Sequence, residues 1–319
     1  MTLTRRLILA AAAALILPSQ GFAEDAPLKI VATTGMIADT AMQVGGDAVT
    51  VQALMGPGVD PHAYRQTRTD IVAMGQADLV LWNGLYLEAQ LEDVLSEIAG
   101  RTPVRAVAEA VPEDLRVGHD DYADRFDPHV WMDPKLWSMV TLAVRDAMIE
   151  VAPEKEALFT ENAASFVAEI EALAEYSETI LSSVPEPARV LVTAHDAFNY
   201  FGEAYGFEVV GIQGISTESE AGLNRMTELV DMLVERGIAS VFVESSVSDR
   251  SVRALIEGAA ARGYEVRIGG ELFSDAMGAP GTYEGTYIGM IDHNVTTISS
   301  GLGGIAPERG MNGRLSAGS

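Results

Sequence analysis

No cysteine occurs anywhere in the 319 residues. Disulfides and thiolate chemistry are therefore excluded, and any metal site must be built from His and carboxylate rather than from sulfur. The residue that a bacterial lipoprotein uses as its anchor is missing with it. Basic residues are scarce: 21 Lys plus Arg stand against 46 Asp plus Glu, for a formal charge of -25. An acidic surface repels nucleic acid and anionic headgroups, so neither is expected as a partner. Long apolar runs are absent too, because Leu7 to Leu17 is too short to cross a bilayer and no later run is longer. There is no Gly-x-x-x-x-Gly-Lys loop for a nucleotide and no His-Glu-x-x-His for a zinc protease. Histidine itself is limited to five residues.

What is present is a globular composition, 48% hydrophobic and 21% charged, in a chain long enough for two domains. The first residues have the form of a targeting segment. Arg5 and Arg6 precede the Leu7 to Leu17 run, and Gly21-Phe22-Ala23 supplies small residues for cleavage. Residues 1–23 are expected to be a signal peptide removed after Ala23, leaving a soluble, unanchored chain in the periplasm.

Beyond the signal, short apolar runs alternate with helically spaced segments. Lys29 to Thr33, Val49 to Leu54, Asp78 to Trp82 and Val104 to Val107 read as strands, with helices over Met36 to Val44, Thr69 to Gly75 and Leu87 to Ile98. Pro112 to Asp127 is polar and acidic and reads as a loop that exposes His119. A helix starts at Pro134. From Glu154 to about Ser182 neither Gly nor Pro interrupts a helical apolar spacing, which predicts a helix that can run from one lobe to another. The alternation then restarts, with strands at Arg189 to Thr193, Glu208 to Ile212, Ser240 to Val243 and Glu265 to Ile268. The pattern predicts an α/β protein of two similar lobes, each a parallel sheet flanked by helices, joined by one long rigid helix. The expected divisions are 24–150, a connecting helix 151–184, a second lobe 185–303 and a flexible Gly-rich tail 304–319.

One tripeptide occurs twice. Asp60-Pro61-His62 follows the second strand, and Asp127-Pro128-His129 precedes a helix. His195 follows the strand ending at Thr193, and Asp275 lies in the loop after the strand near Ile268. Ligands of open parallel sheets bind beyond the carboxyl ends of the strands. Three imidazoles and a carboxylate suit a first-row divalent ion, and their wide separation requires tertiary structure to assemble them. Taken singly, each also fits an ordinary loop or turn, since Asp-Pro commonly starts a turn. His119 and His293 are read as an exposed loop residue and a helix residue. Glu218 and Glu220 are read as loop acids, and Glu244 as a possible orienting partner for a ligand.

These segments resemble the metal-specific solute-binding proteins of bacterial ABC importers, the TroA-like group. The likeness rests on Gly58-Val59-Asp60-Pro61-His62-Ala63-Tyr64, Asp127-Pro128-His129-Val130-Trp131-Met132-Asp133-Pro134, Thr193-Ala194-His195-Asp196-Ala197-Phe198 and Gly270-Glu271-Leu272-Phe273-Ser274-Asp275. It spans about Leu28 to Leu302. The resemblance implies an ion held between the lobes by His62, His129, His195 and Asp275, as a transported ligand, zinc or manganese. It also implies no enzyme activity and delivery to an ABC permease in the inner membrane. A monomer is expected. His at the third position softens the site toward zinc, whereas the lack of a His-rich loop before His129 leaves manganese open. The rival readings are a metal-dependent hydrolase, which would need an open coordination position and a base, and a metal-binding surface adhesin, which the missing anchor residue disfavours. Protonation of His is expected to weaken binding as pH falls through the range near 6.5.

Overall fold

The computed structural model describes residues 26–119 and 122–316. The signal peptide expected over residues 1–23 lies outside them. The first lobe contains β1 (Leu28–Ala32), α1 (Gly35–Gly45), β2 (Val49–Ala53), α2 (Arg68–Gln76), β3 (Leu79–Trp82), α3 (Glu92–Ile98) and β4 (Val104–Ala106). All four strands pair in parallel in the order β2-β1-β3-β4. A hairpin follows, β5 (Gly118–His119) with β6 (Tyr122–Phe126), and then α4 (Pro134–Val151) and α5 (Glu156–Leu181). The second lobe holds β7 (Val190–Thr193), α6 (Asn199–Tyr205), β8 (Glu208–Gly211), α7 (Leu223–Arg236), β9 (Ser240–Glu244), α8 (Arg250–Ala261), β10 (Arg267–Leu272) and α9 (Tyr287–Gly301). β7 pairs with β8 and β9 with β10, both in parallel, and β7 lies beside β9. The second lobe therefore has two hydrogen-bonded pairs lying side by side with their strands in the spatial order β8-β7-β9-β10, like the order of the first. In both lobes the order reverses between the first and third strands, and the crevice beyond their carboxyl ends is where such sheets bind ligands.

Local chemistry explains the boundaries. Thr34 caps α1 by accepting from the Ile37 amide, and Thr67 and Asp70 form a reciprocal capping box on α2. Asp133 caps α4, with Pro134 in the first turn, where its missing N–H costs nothing. α5 has 26 residues, about 39 Å at 1.5 Å per residue. It lies against α1 and α4 of the first lobe and α9 of the second. Its buried stripe of Phe159, Ala163, Phe166, Ile170 and Leu173 belongs to one apolar core that reaches Leu81 in the first lobe and Phe242, Leu272 and Tyr287 in the second.

Polar bonds also tie the lobes together. The Asp39 carboxylate accepts the Tyr287 amide at the start of α9 (2.8 Å). Trp131 donates its indole N–H to the Ser274 carbonyl (2.8 Å), and the Tyr287 hydroxyl donates to the Trp131 carbonyl (2.9 Å).

Three expectations need correction. The segment before Asp127 is a loop only in part: its end forms the β5–β6 hairpin, and His119 is buried, not exposed. The helix expected from Leu87 begins only at Glu92, because Gly84, Leu85 and Tyr86 all take left-handed backbone (φ 80°, 53° and 71°). That turn delivers the Glu88 carboxylate to the Asn83 and Gly84 amides (2.8 and 3.2 Å). The tail beyond Gly303 is not loose as far as Ser316. Leu315 is buried, and the Met311 amide donates to the Asp292 carboxylate of α9 (2.9 Å). Its Gly-rich composition showed weak local structure but not the buried acid waiting for a donor.

Candidate metal centre

The two Asp-Pro-His tripeptides fold alike, which gives the repeat a physical meaning. In each, the Asp side chain folds back so that Oδ1 accepts the amide of the His two residues on, at 2.9 Å in both. In each, the second carboxylate oxygen is taken by a side chain of the other lobe. Thr217 Oγ1 donates to Asp60 Oδ2 (2.5 Å), and Asn199 Nδ2 donates to Asp127 Oδ2 (3.0 Å). Asp127 does one thing more: its Oδ1 lies 2.7 Å from His129 Nδ1 and orients the ring. The Tyr200 hydroxyl completes this support by donating to the Asp127 carbonyl (2.8 Å).

His195 stands just beyond β7, at the reversal point of the second lobe. Glu244, the last residue of β9, grips it twice, with Oε1 2.9 Å from the amide and Oε2 2.5 Å from Nδ1. With Nδ1–H committed to a carboxylate in both His129 and His195, each Nε2 faces the centre, where loss of its proton would leave a lone pair for an ion. Asp275 follows β10. The Asn294 side chain of α9 holds the backbone of Phe273 just before it, accepting its N–H and donating to its carbonyl.

His62, His129, His195 and Asp275 thus converge. One ligand atom from each lies within 4.8 Å of all the others, and all four residues are buried. His62 Nε2 is 3.3 Å from His129 Nε2. Asp275 Oδ1 is 3.3 Å from His129 Nε2, and Asp275 Oδ2 is 3.2 Å from His195 Nε2. Four donors about 2.0–2.1 Å from a tetrahedral ion would stand about 3.3–3.4 Å apart. Neither His195 Nε2 nor Asp275 Oδ1 forms a well-aligned hydrogen bond to the described protein. Buried polar atoms without partners are costly, and coordination of a cation would satisfy them.

The electrostatics divide the three imidazoles. Burial opposes charge on His129, but Asp127 and Asp275 outweigh it and push its pKa up to about 9. His195 goes the same way, as Glu244 and Asp275 overcome burial and raise it well above the usual range. Burial dominates at His62 and lowers it to about 3 despite the attraction of Asp275. Burial would raise Asp275, yet His195 and His129 hold it well below the usual carboxylate range. The cage therefore holds protons on two rings that a cation must displace.

The other candidates lie outside this cluster. His293 is buried in α9 with Nε2 2.9 Å from the Glu271 carbonyl, and Glu218 accepts from Gln90 at the surface. His119, on the hairpin, and Glu220, on the loop before α7, are not among the converging residues. Glu244 has the orienting position that its place at a strand end suggested. Asp60, Asp127, Asn199 and Thr217 were not singled out from sequence. The repeated Asp was a usable signal, but Asn199 and Thr217 carried none.

Two like-ordered α/β lobes, a rigid helix between them and a cage of donors at their junction define a two-lobed solute-binding protein. The chain belongs to the family Zinc-uptake complex component A periplasmic, which it matches over residues 30–301. It is 46% identical over 284 residues to the manganese-binding lipoprotein MntA of Bacillus subtilis, covering 89% of this chain and 92% of that one. It is 45% identical over 284 residues to the zinc-binding protein TroA of Treponema pallidum, with the same coverage. The solved structure of that periplasmic zinc-binding protein superimposes with a TM-score of 0.84, covering 86% of this chain and 99% of the other.

Proposed function

We propose that the protein is a carrier that captures one divalent transition metal ion, zinc or manganese, between its lobes and delivers it to an ABC-type importer. His62, His129, His195 and Asp275 are the ligands in this reading. The observation that carries it is the cage itself: three imidazoles and a carboxylate, buried, with ligand atoms all within 4.8 Å of one another and three neighbouring pairs at 3.2–3.3 Å, close to the spacing around a tetrahedral ion. Four protein donors leave no obvious open position for an activated water, which favours a carrier over a hydrolase. We assign no catalytic residue. The cargo is read as substrate, and the two similar relatives divide by name between manganese and zinc. Raw affinity favours zinc at such donor sets, so affinity alone does not identify the cellular cargo.

We further read residues 24–150 and 185–303 as the two lobes, residues 151–184 as their connection, and the working form as a periplasmic monomer that docks on a membrane permease. The test is direct. Purified protein stripped of metal should bind about one zinc or manganese ion per chain without turning over a hydrolysable substrate. Metal-dependent hydrolysis, or no stoichiometric binding, would reject the carrier reading. Elemental analysis of protein taken from its native compartment would identify the cargo.

A further inference from the structure

All four cage residues are at most 3% exposed, so an ion reaches them only when some part of the protein moves. The lobes are poorly suited to swing apart. They share one apolar core along α5, and the Asp39–Tyr287, Trp131–Ser274 and Asn199–Asp127 bonds join them. The loop joining β8 to α7 is different. It is anchored at one end by the Gln213 amide on the Ala194 carbonyl (3.0 Å) and at the other by the Gly222 carbonyl, which accepts from Met226 (3.1 Å). Between them, 215–221 belong to no helix or strand, and are held mainly by one turn at 217–218 and by the Gln213 side chain on the Ser219 carbonyl (3.2 Å). Segments with so few backbone bonds open at low free-energy cost.

Two side-chain ties carry this loop across to the first lobe. Gln90 Nε2 donates to Glu218 Oε1 (2.8 Å), and Thr217 Oγ1 donates to Asp60 Oδ2 (2.5 Å). The second reaches the cage directly, because the other oxygen of Asp60 holds the His62 amide. The same three-part arm exists at His129, as Asn199 to Asp127 to His129, but there Asp127 also grips the ring nitrogen and is itself fully buried. The His62 arm is half-buried, hangs on a sparsely bonded loop, and holds the ligand through its backbone. His62 is therefore the cage residue with the softest support.

We propose that Thr217, acting through Asp60, is a positioning residue that keeps His62 on the ion, and that ion entry and exit run through release of this cross-lobe arm while the lobes stay packed. This rests on the carrier reading above. The arm and the Gln90–Glu218 tie close the mouth together. Release of the loop frees Asp60, and the Gly56-to-His62 segment can then carry its imidazole away from His129, His195 and Asp275.

The experiment measures dissociation of zinc from the loaded full-length protein by stopped flow into excess chelator, for wild type, Thr217→Val, Thr217→Ser and Gln90→Ala. Thr217→Val keeps the shape but removes the donor, and should release the ion roughly 10- to 100-fold faster, the span typical of lost support behind a metal ligand. Thr217→Ser keeps the hydroxyl and should stay near the wild-type rate. Gln90→Ala, at a residue outside the converging cage, should also speed release, by a smaller factor. The cobalt-substituted proteins should keep one tetrahedral absorption spectrum throughout, since the same four donors bind. Release at the wild-type rate in both Thr217→Val and Gln90→Ala would overturn the inference, as would equal acceleration by Val and Ser. If wild-type protein binds no zinc, the carrier reading fails instead, which keeps the two failures distinct.

Discussion

Carboxylates outside the four proposed ligands govern this cage as much as those residues do. Asp127 and Glu244 fix the direction of His129 and His195, and their charge favours the protonated rings over burial, raising both pKa values. Glu244→Gln keeps the size but removes the charge and the strong acceptor. It should weaken zinc binding by roughly 10- to 100-fold, as loss of an orienting partner commonly does, readable by competition with a chromophoric chelator. The pH dependence follows from the same contacts. His129 has a folded pKa of about 9, above the ordinary 6.5, so the stability it lends the metal-free protein is complete below about 6.5 and lost as pH rises through about 9. Metal affinity should do the opposite and strengthen between about pH 6.5 and 9, because each displaced proton becomes easier to remove. The unperturbed histidine value placed this window near 6.5, and the buried carboxylates move it upward. Titration calorimetry at several pH values would decide it, and a flat affinity across that range would contradict the assignment of protons to His129 and His195. His62, held at about 3 by burial, is neutral throughout.

At the scale of elements, the informative places are those where local propensity was overruled. Glu88 is fully buried, with its pKa pushed up to about 7 by burial, and it gathers the Thr33 hydroxyl and the Asn83 and Gly84 amides. This hub sits beyond β1 and β3, the counterpart in the first lobe of the His195–Glu244 pair in the second. It explains why the chain accepts left-handed Leu85 and Tyr86 in place of a helical turn. Glu88→Ala should cost about 1–3 kcal/mol by leaving buried donors unpaired, measured by chemical denaturation of the metal-free protein. The C-terminal clasp offers a cleaner case. Gly310 has φ 68°, and a Cβ there would stand 2.4 Å from Asp292 Oδ2. Gly310→Ala should lower the melting temperature through about 1–3 kcal/mol of strain and collision, while zinc stoichiometry stays at wild type because no ligand is near. A loss of binding in that variant would show that the tail and the cage are coupled.

For the whole molecule, the shared core is the decisive feature. Phe166 sits 3% exposed in the middle of α5, within the apolar cluster that both lobes contribute to. Phe166→Ala should destabilise the protein by about 3–5 kcal/mol. It should do so in one cooperative transition, seen alike by fluorescence and circular dichroism, because neither lobe can keep its core without the helix. Separate transitions for the two halves would contradict a common core. The same continuity predicts that small-angle scattering profiles of metal-free and loaded protein nearly coincide, with the change confined to loops at the mouth.

Much of this was legible in residue order alone. Strand and helix alternation is encoded locally, by side-chain periodicity and by caps such as Thr34, Thr67 and Asp133, so the two α/β lobes and the uninterrupted helix between them could be read directly. The repeated Asp-Pro-His carried its own turn, since an Asp oxygen two residues before an amide closes it without outside help. What the sequence could not reveal was who stands behind each ligand. Glu244 was visible as a carboxylate at a strand end, but Asn199 and Thr217, far along the chain from the tripeptides they support, carried no signal, because such contacts exist only once the core has set the lobes against each other. Residue order alone was enough for the elements and for the types of donor, because both depend on short-range chemistry. It took the tertiary structure to bring four distant donors within 4.8 Å of one another in a buried cage, and to raise the pKa of two rings while lowering that of the third, because distance, burial and field are properties of packing.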